Sequence, residues 1–216
     1  MFVRNTRRSI VFTVALLCIS GAAACRAQDN WQQQADRLAV LLQWHPGSVV
    51  AEIGAGSGNL TQAAAQRVGA TGKIYTTELD PEALAHLQDL AAKAKNIVAI
   101  KAGDSDTNLS PACCDSIFMR LVYHHLTKPA QIDASLFRAL KPGGRLAVVD
   151  EIPYPGTSVP EGVPKNREGH GIPQAVLVNE LRAAGFEVEH VENDWFSPDR
   201  YHDHRMYCVV FRKAQD

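Results

Sequence analysis

The chain has 216 residues, 46% of them hydrophobic and 21% charged, with a formal net charge of −1. That size suits one domain with a short appendage, and the balance excludes a disordered, weakly hydrophobic chain. Near-neutral charge, with no basic run beyond the first eight residues, argues against a nucleic-acid partner and for a small molecule.

The first 27 residues stand apart. Arg4, Arg7 and Arg8 form a positive region, Ile10 to Ile19 an uncharged, mostly apolar run, and Ser20-Gly21-Ala22-Ala23-Ala24 a small-residue stretch before Cys25. This is the layout of an export signal, with an apolar run shorter than the roughly 20 residues of a spanning helix. Ala22-Ala23-Ala24 before Cys25 reads as a lipoprotein-type cleavage site, and Cys25-Arg26-Ala27 before Gln28 as an alternative. Thr6-Arg7-Arg8-Ser9-Ile10-Val11 reads as a twin-arginine signal, and an uncleaved anchor is the remaining alternative. The pattern predicts that residues 28–216 form one domain, exported to the periplasm or cell envelope, or touching a membrane only through the N-terminal segment. Cys113, Cys114 and Cys208 show neither disulfide-framework nor zinc spacing and read as small packing residues.

Helical spacing of Leu38, Leu41 and Leu42 predicts a helix from Trp31 to Trp44, stopped by Pro46-Gly47. Ser48 to Ile53 is a short apolar strand, Leu60 to Val68 a helix, and Lys73 to Thr77 a second strand. Pro81 opens a helix running to about Ala94. Ile97 to Lys101 and Asp115 to Arg120 are the third and fourth strands. A helix from about Pro129 to Leu140 ends at the Lys141-Pro142-Gly143-Gly144 turn, before a fifth strand at Arg145 to Asp150. Alternating strands and helices predict an α/β fold with a mostly parallel sheet covered on both faces. After the helix Gln174 to Ala184, Phe186 to Val191 and Met206 to Phe211 read as two final strands. No helical pattern separates them, so they should pair antiparallel.

The chemistry concentrates at the carboxyl ends of the strands. Glu52-Ile53-Gly54-Ala55-Gly56-Ser57-Gly58-Asn59-Leu60 joins the first strand to the first helix. Glycines there allow a tight turn and close backbone approach by a ligand, and the following helix aims free N–H groups at a carboxylate. A dinucleotide fingerprint wants its third glycine where Asn59 stands, and no Gly-Lys-Ser/Thr follows, which excludes a P-loop. Glu78, twenty residues after Gly58, sits where an acid accepts both hydroxyls of a ribose, and Leu79 follows it. Gly103-Asp104, after the third strand, offers an acceptor for an adenine amino group.

Val50 to Gly58, Tyr75-Thr76-Thr77-Glu78-Leu79-Asp80-Pro81 and Leu140-Lys141-Pro142-Gly143-Gly144-Arg145-Leu146 resemble successive motifs of the class I methyltransferases that use S-adenosylmethionine (SAM). The resemblance spans about Ser48 to Arg212. It implies a Rossmann-like seven-stranded sheet with an antiparallel last strand, and SAM as cofactor. The residues it places around SAM are Glu52, Gly54, Ala55, Gly56, Gly58, Asn59, Glu78, Leu79, Gly103, Asp104, Arg120 and His125. Strand four lacks an Asn/Asp-Pro-Pro-Tyr-like motif, so the style is closer to small-molecule and quinone methyltransferases than to base-modifying ones.

Methyl transfer is an in-line displacement in which the protein chiefly aligns the partners and sometimes supplies a base. His124 and His170 are the candidate bases, with Asp150 and Glu151 nearby in the sequence order of the site; Asp150 reads as an acceptor for backbone N–H groups. Ile152 to Pro173 holds five prolines and four glycines in twenty-two residues and reads as a substrate cover. His202 and His204 share a face of an extended segment, but spacing supplies no third ligand, so no metal is expected. Because SAM is a cytosolic metabolite, an exported domain has three resolutions: a cytosol-facing anchor, export in a folded, loaded state, or a non-catalytic module that binds SAM or a nucleoside. A protein-carboxyl methyltransferase is a further alternative.

Overall fold

The computed structural model describes residues 30–195 and 206–215. The signal-like segment and the His202–His204 pair therefore lie outside the described residues.

Helix α1 covers residues 30–41. Strand β1 (Val49–Ile53), α2 (Asn59–Val68), β2 (Lys73–Glu78), α3 (Pro81–Lys93) and β3 (Ile97–Lys101) follow. Then come β4 (Cys114–Arg120), α4 (Pro129–Ala139), β5 (Leu140–Glu151), α5 (Gln174–Ala183), β6 (Phe186–Trp195) and β7 (Met206–Lys213). Their order in the single sheet is β3-β2-β1-β4-β5-β7-β6. β7 runs antiparallel to both β5 and β6, while β1 to β5 pair in parallel. This is the Rossmann-like methyltransferase topology.

Both faces of the central strands are buried, as their apolar runs predict, whereas edge strand β6 is largely exposed. Ile117, Met119, Leu146 and Val148 pack toward Leu136 of α4 and Leu177 and Leu181 of α5. Their neighbours Phe118, Ala147 and Val149 pack on the other face, with Leu38 of α1 and Leu60, Ala64 and Val68 of α2. The period-two split of β4 and β5 between the two cores follows from the pleat. Asp80 caps α3, its side chain accepting the N–H groups of Glu82 and Ala83, and Pro81 occupies the first helical position.

Beyond shifts of a single residue, the boundaries of α1, β5 and the β6–β7 pair differ from the sequence expectation. α1 ends at residue 41, and Gln43 takes a left-handed φ of 56°. Trp44, freed from the helix, donates its indole N–H to Ser116 Oγ at 2.7 Å and packs on Phe118. Lys141 to Gly144 is not a free turn but the irregular start of β5, where the register slips between Cys114 and Ser116. Asp115 fills that slip, accepting Lys141 Nζ at 2.5 Å and the Val49 N–H at 2.7 Å. β6 and β7 pair antiparallel as expected but run longer than their apolar cores.

Candidate functional site

β1, β2, β3 and β4 all point their carboxyl ends to one edge, where open α/β sheets bind ligands. The turn after β1 is pinned from below, Gly54 and Ala55 donating to Thr77 O at 3.0 and 3.1 Å. It is pinned from the side by Glu78, whose Oε1 accepts the Gly56 N–H at 2.8 Å while Oε2 accepts the Leu79 N–H at 2.8 Å. Each carboxylate oxygen keeps a second acceptor site. Gly54 has a φ of +66°, and a Cβ there would stand 2.6 Å from Val122 Cγ2, so the turn and the loop after β4 touch only because residue 54 is glycine.

Two hollows flank this turn. The larger, about 420 Å³, is lined among others by Gly54, Glu78, Leu79, Gly103, Asp104, Arg120 and His125. The smaller, about 190 Å³, is lined by Trp31, Glu52, Ala55, Gly56, Asn59 and Arg120 on the other side of Gly54. Arg120 belongs to both walls; its Nε donates to Gln34 Oε1 at 3.0 Å, and its guanidinium lies over Trp31. Glu52 is enclosed and accepts the Thr61 hydroxyl. Burial pushes its carboxyl up to about 8 against the opposing pull of Thr61 and Arg120. At the mouth, exposed Asp104 meets Lys128 Nζ at 2.5 Å, and that ammonium holds its carboxyl below the usual range.

Of the residues expected around the cofactor, Gly58 alone lines neither hollow. It faces α3 instead, where a Cβ would meet Leu90 Cδ1 at 2.5 Å and Leu87 Cδ2 at 2.9 Å. Its φ of 71° starts α2 without a side-chain cap, so its task is to let two helices approach. The two candidate bases also lie outside both linings. His124 is enclosed, donating from Nδ1 to Asp150 Oδ1 at 2.7 Å; Asp150 also accepts the N–H groups of His124 and Glu151. That matches the reading of Asp150 as an acceptor for backbone amides. His170 leans on His124 and His125, with ring centroids 4.7 and 5.1 Å away. Partial burial and these two neighbouring imidazoles lower the pKa of His125.

The segment from Ile152 to Pro173 is irregular apart from a short 3₁₀ turn at Lys165–Arg167. Fully buried Arg167 ties it down, its two terminal nitrogens reaching the Glu180 carboxylate of α5 at 2.7 and 2.9 Å. Sequence reasoning missed this arginine, along with Thr77, Val122 and Trp31. A buried arginine inside a Pro/Gly-rich loop carries no local signal, and Thr77 reads only as one more strand residue.

The site suits a nucleoside with a charged amino-acid tail. Glu78 has acceptor sites left for a diol, and the Thr77 hydroxyl is buried at the cleft without a hydrogen-bond partner among the described residues. The N-terminus of α2, free of a side-chain cap, faces outward from the glycine turn toward any carboxylate held there. Fold and site together define an open α/β domain with a ligand-sized cleft at the carboxyl edge of its sheet.

Comparison with known proteins narrows that class. Residues 51–148 match the family described as methyltransferase domain. Sterol methyltransferase-like 1 of Botryococcus braunii is 29% identical over 70% of this chain and 41% of its own length. A probable ribosomal RNA small subunit methyltransferase A of Methanosarcina acetivorans is 41% identical over 32% of this chain and 24% of its own. The ubiquinone/menaquinone biosynthesis C-methyltransferase UbiE of Bordetella parapertussis is 27% identical over 49% and 41%. The matches thus span between about a quarter and two fifths of these relatives. A SAM-dependent methyltransferase structure from Aquifex aeolicus superposes with a TM-score of 0.62 and 21% identity, covering 86% of this chain and 97% of that one. Residues 51–148 are thus similar to the methyltransferase domain family, and the chain has the fold of class I SAM-dependent methyltransferases, a class whose cofactor is SAM.

Proposed function

We propose that this chain transfers the methyl group of SAM to a small molecule through an oxygen or carbon nucleophile. The observation that carries the reading is the cleft of about 420 Å³ at the carboxyl edge of the sheet, with Glu78 and Asp104 on one wall and Arg120, Val122 and His125 on the other. SAM, when bound, supplies a methyl group already activated by its sulfonium. The protein's part is then alignment and exclusion of water. Glu78 and the Thr77 hydroxyl, unpartnered among the described residues, hold the sugar, and Gly56 offers backbone with nothing within 4 Å of where a Cβ would stand. The acceptor enters past His125 and Thr127, beneath the segment that Arg167 anchors, which acts as its cover. A small acceptor fits the near-neutral surface better than RNA does, and the sterol and quinone names among the relatives point the same way. Residues 1–27 we read as an export signal or membrane anchor.

The test incubates the full chain with methyl-labelled SAM and a panel of phenols, quinols, 1,3-dicarbonyls and peptides. Label on a phenol, quinol or dicarbonyl supports the reading. Label released by mild base from peptides would indicate a carboxyl methyltransferase instead. Tight SAM binding without transfer to any acceptor would leave a binding module.

A further inference from the structure

We propose that His124, His125 and His170 form a binding site for a divalent transition metal of the zinc class, with Asp150 and Glu151 as its supporting carboxylates. The three imidazoles come from two segments, the loop after β4 and the loop after β5, and each presents a ligand atom within 4.8 Å of the others. Their ring centroids stand 4.1, 4.7 and 5.1 Å apart. Three imidazoles on one tetrahedral zinc, with Zn–N of about 2.0–2.1 Å, would place their centroids about 5 Å apart.

The decisive feature is His124. Its Nδ1 is committed to Asp150 at 2.7 Å, which fixes the proton there and leaves the Nε2 lone pair as acceptor. That Nε2 is buried and has no hydrogen-bond partner among the described residues. A ring oriented by a carboxylate at one nitrogen, with its other nitrogen enclosed and unpaired, is how metal-binding histidines are prepared. His170 repeats the arrangement more loosely, its Nδ1 lying 3.4 Å from Glu151 Oε1, and Tyr154 donates its hydroxyl to the same Glu151.

The backbone around His170 is built to deliver it. Its N–H donates to Thr157 Oγ1 at 2.8 Å, and its carbonyl accepts the Tyr154 N–H at 3.2 Å. Gly169 and Gly171 have φ of +145° and +111°, and a Cβ at residue 171 would lie 2.8 Å from Glu151 O. Only glycine on that side lets residue 170 pass so close to the end of β5. Packing of neutral rings accounts for the contacts among the imidazoles but leaves the enclosed Nε2 lone pair unexplained. Ligand nitrogens on a tetrahedral zinc are about 3.3 Å apart, so the site closes by swinging the two accessible rings, His125 and His170, toward fixed His124. Three neutral nitrogen ligands with a fourth position open suit zinc, copper or nickel better than magnesium or calcium.

The test titrates the metal-free full chain with Zn²⁺ in a calorimeter without SAM, so its outcome is separate from that of the methyl-transfer reading. One ion per chain is expected. His170→Ala, at a partly exposed position, should keep the wild-type melting temperature of the metal-free protein and weaken Zn²⁺ by at least about 100-fold. Asp150→Asn, acting through His124, should weaken it by about 10- to 100-fold. With Co²⁺, the wild type should show the intense visible absorption of a tetrahedral site, and His170→Ala should lose it. A folded wild type that binds no stoichiometric Zn²⁺ overturns the proposal. So does binding that survives both His125→Ala and His170→Ala but is lost in a His202→Ala/His204→Ala double variant.

Discussion

The carboxylate of Glu78 accepts the backbone N–H of Gly56 at 2.8 Å, so the acid that ends β2 also holds the glycine turn that follows β1. Two features that stand 22 residues apart in the chain form one device.

Glu78→Ala removes the acceptor for the sugar hydroxyls and releases the turn at once. Charge-assisted hydrogen bonds of this kind are worth about 2–3 kcal/mol together, so SAM binding should weaken by about 30- to 150-fold. Calorimetric titration of both proteins checks it; equal affinities would remove Glu78 from the site.

The glycines of the turn should separate by environment. Gly54→Ala and Gly58→Ala each combine a left-handed φ with a Cβ that meets a side chain within 2.6 Å, whereas Gly56→Ala, at φ +52°, meets nothing within 4 Å. We expect losses of about 2–3 kcal/mol at residues 54 and 58 and about 1 kcal/mol at residue 56. Gly58→Ala should act on stability more than on SAM affinity, since Gly58 faces α3. Urea denaturation alongside SAM titration separates the two effects.

Buried Glu52 predicts a pH dependence with a definite sign. Its folded pKa of about 8 lies above the ordinary value of 4.5, because burial outweighs Thr61 and Arg120. Between those values the folded state keeps a proton that the unfolded state has released. The stabilisation is full below pH 4.5 and is lost as pH rises through about 8, with a limiting slope of about 1.4 kcal/mol per pH unit. Glu52→Gln should abolish this component, so the wild-type-minus-variant stability difference should fall steadily from acid to pH 8. A difference independent of pH would show that Glu52 ionises normally.

Arg167 and Glu180 couple the segment from Ile152 to Pro173 to α5. Arg167→Ala leaves the Glu180 carboxylate, which also accepts the Tyr123 hydroxyl at 3.1 Å, without its bidentate partner. Breaking such a pair costs about 3 kcal/mol, and Arg167→Lys should recover little because an ammonium cannot make the paired contact. Protection of residues 152–173 against hydrogen exchange should drop in step; unchanged protection would mean that the segment is held by other contacts.

Most of the fold was legible because it rests on short-range rules. The strands of the sheet centre are apolar runs, and Pro81 and the glycines punctuate them at fixed offsets. Glu78 was found because the distance from a glycine turn to the end of the next strand is itself set by one helix and one strand. The exact ends of α1 and β5 were not legible: Trp44 leaves the helix for Ser116, and Lys141 stays in the sheet for Asp115. Both partners lie on a different strand, and nothing local announces them.

The sequence by itself determined the order of elements, the glycine turn, and the acids that end β2 and follow β3, because each depends on backbone preference and on short spacings between consecutive elements. Only the tertiary structure decided that Gly58 serves α3, that Arg167 is buried against Glu180, and that His170 meets His124, which Asp150 holds. The His124–His170 contact joins two loops far apart in the chain. It exists because the β3-β2-β1-β4-β5-β7-β6 order sets the ends of β4 and β5 side by side, so that the loops leaving them must share one space.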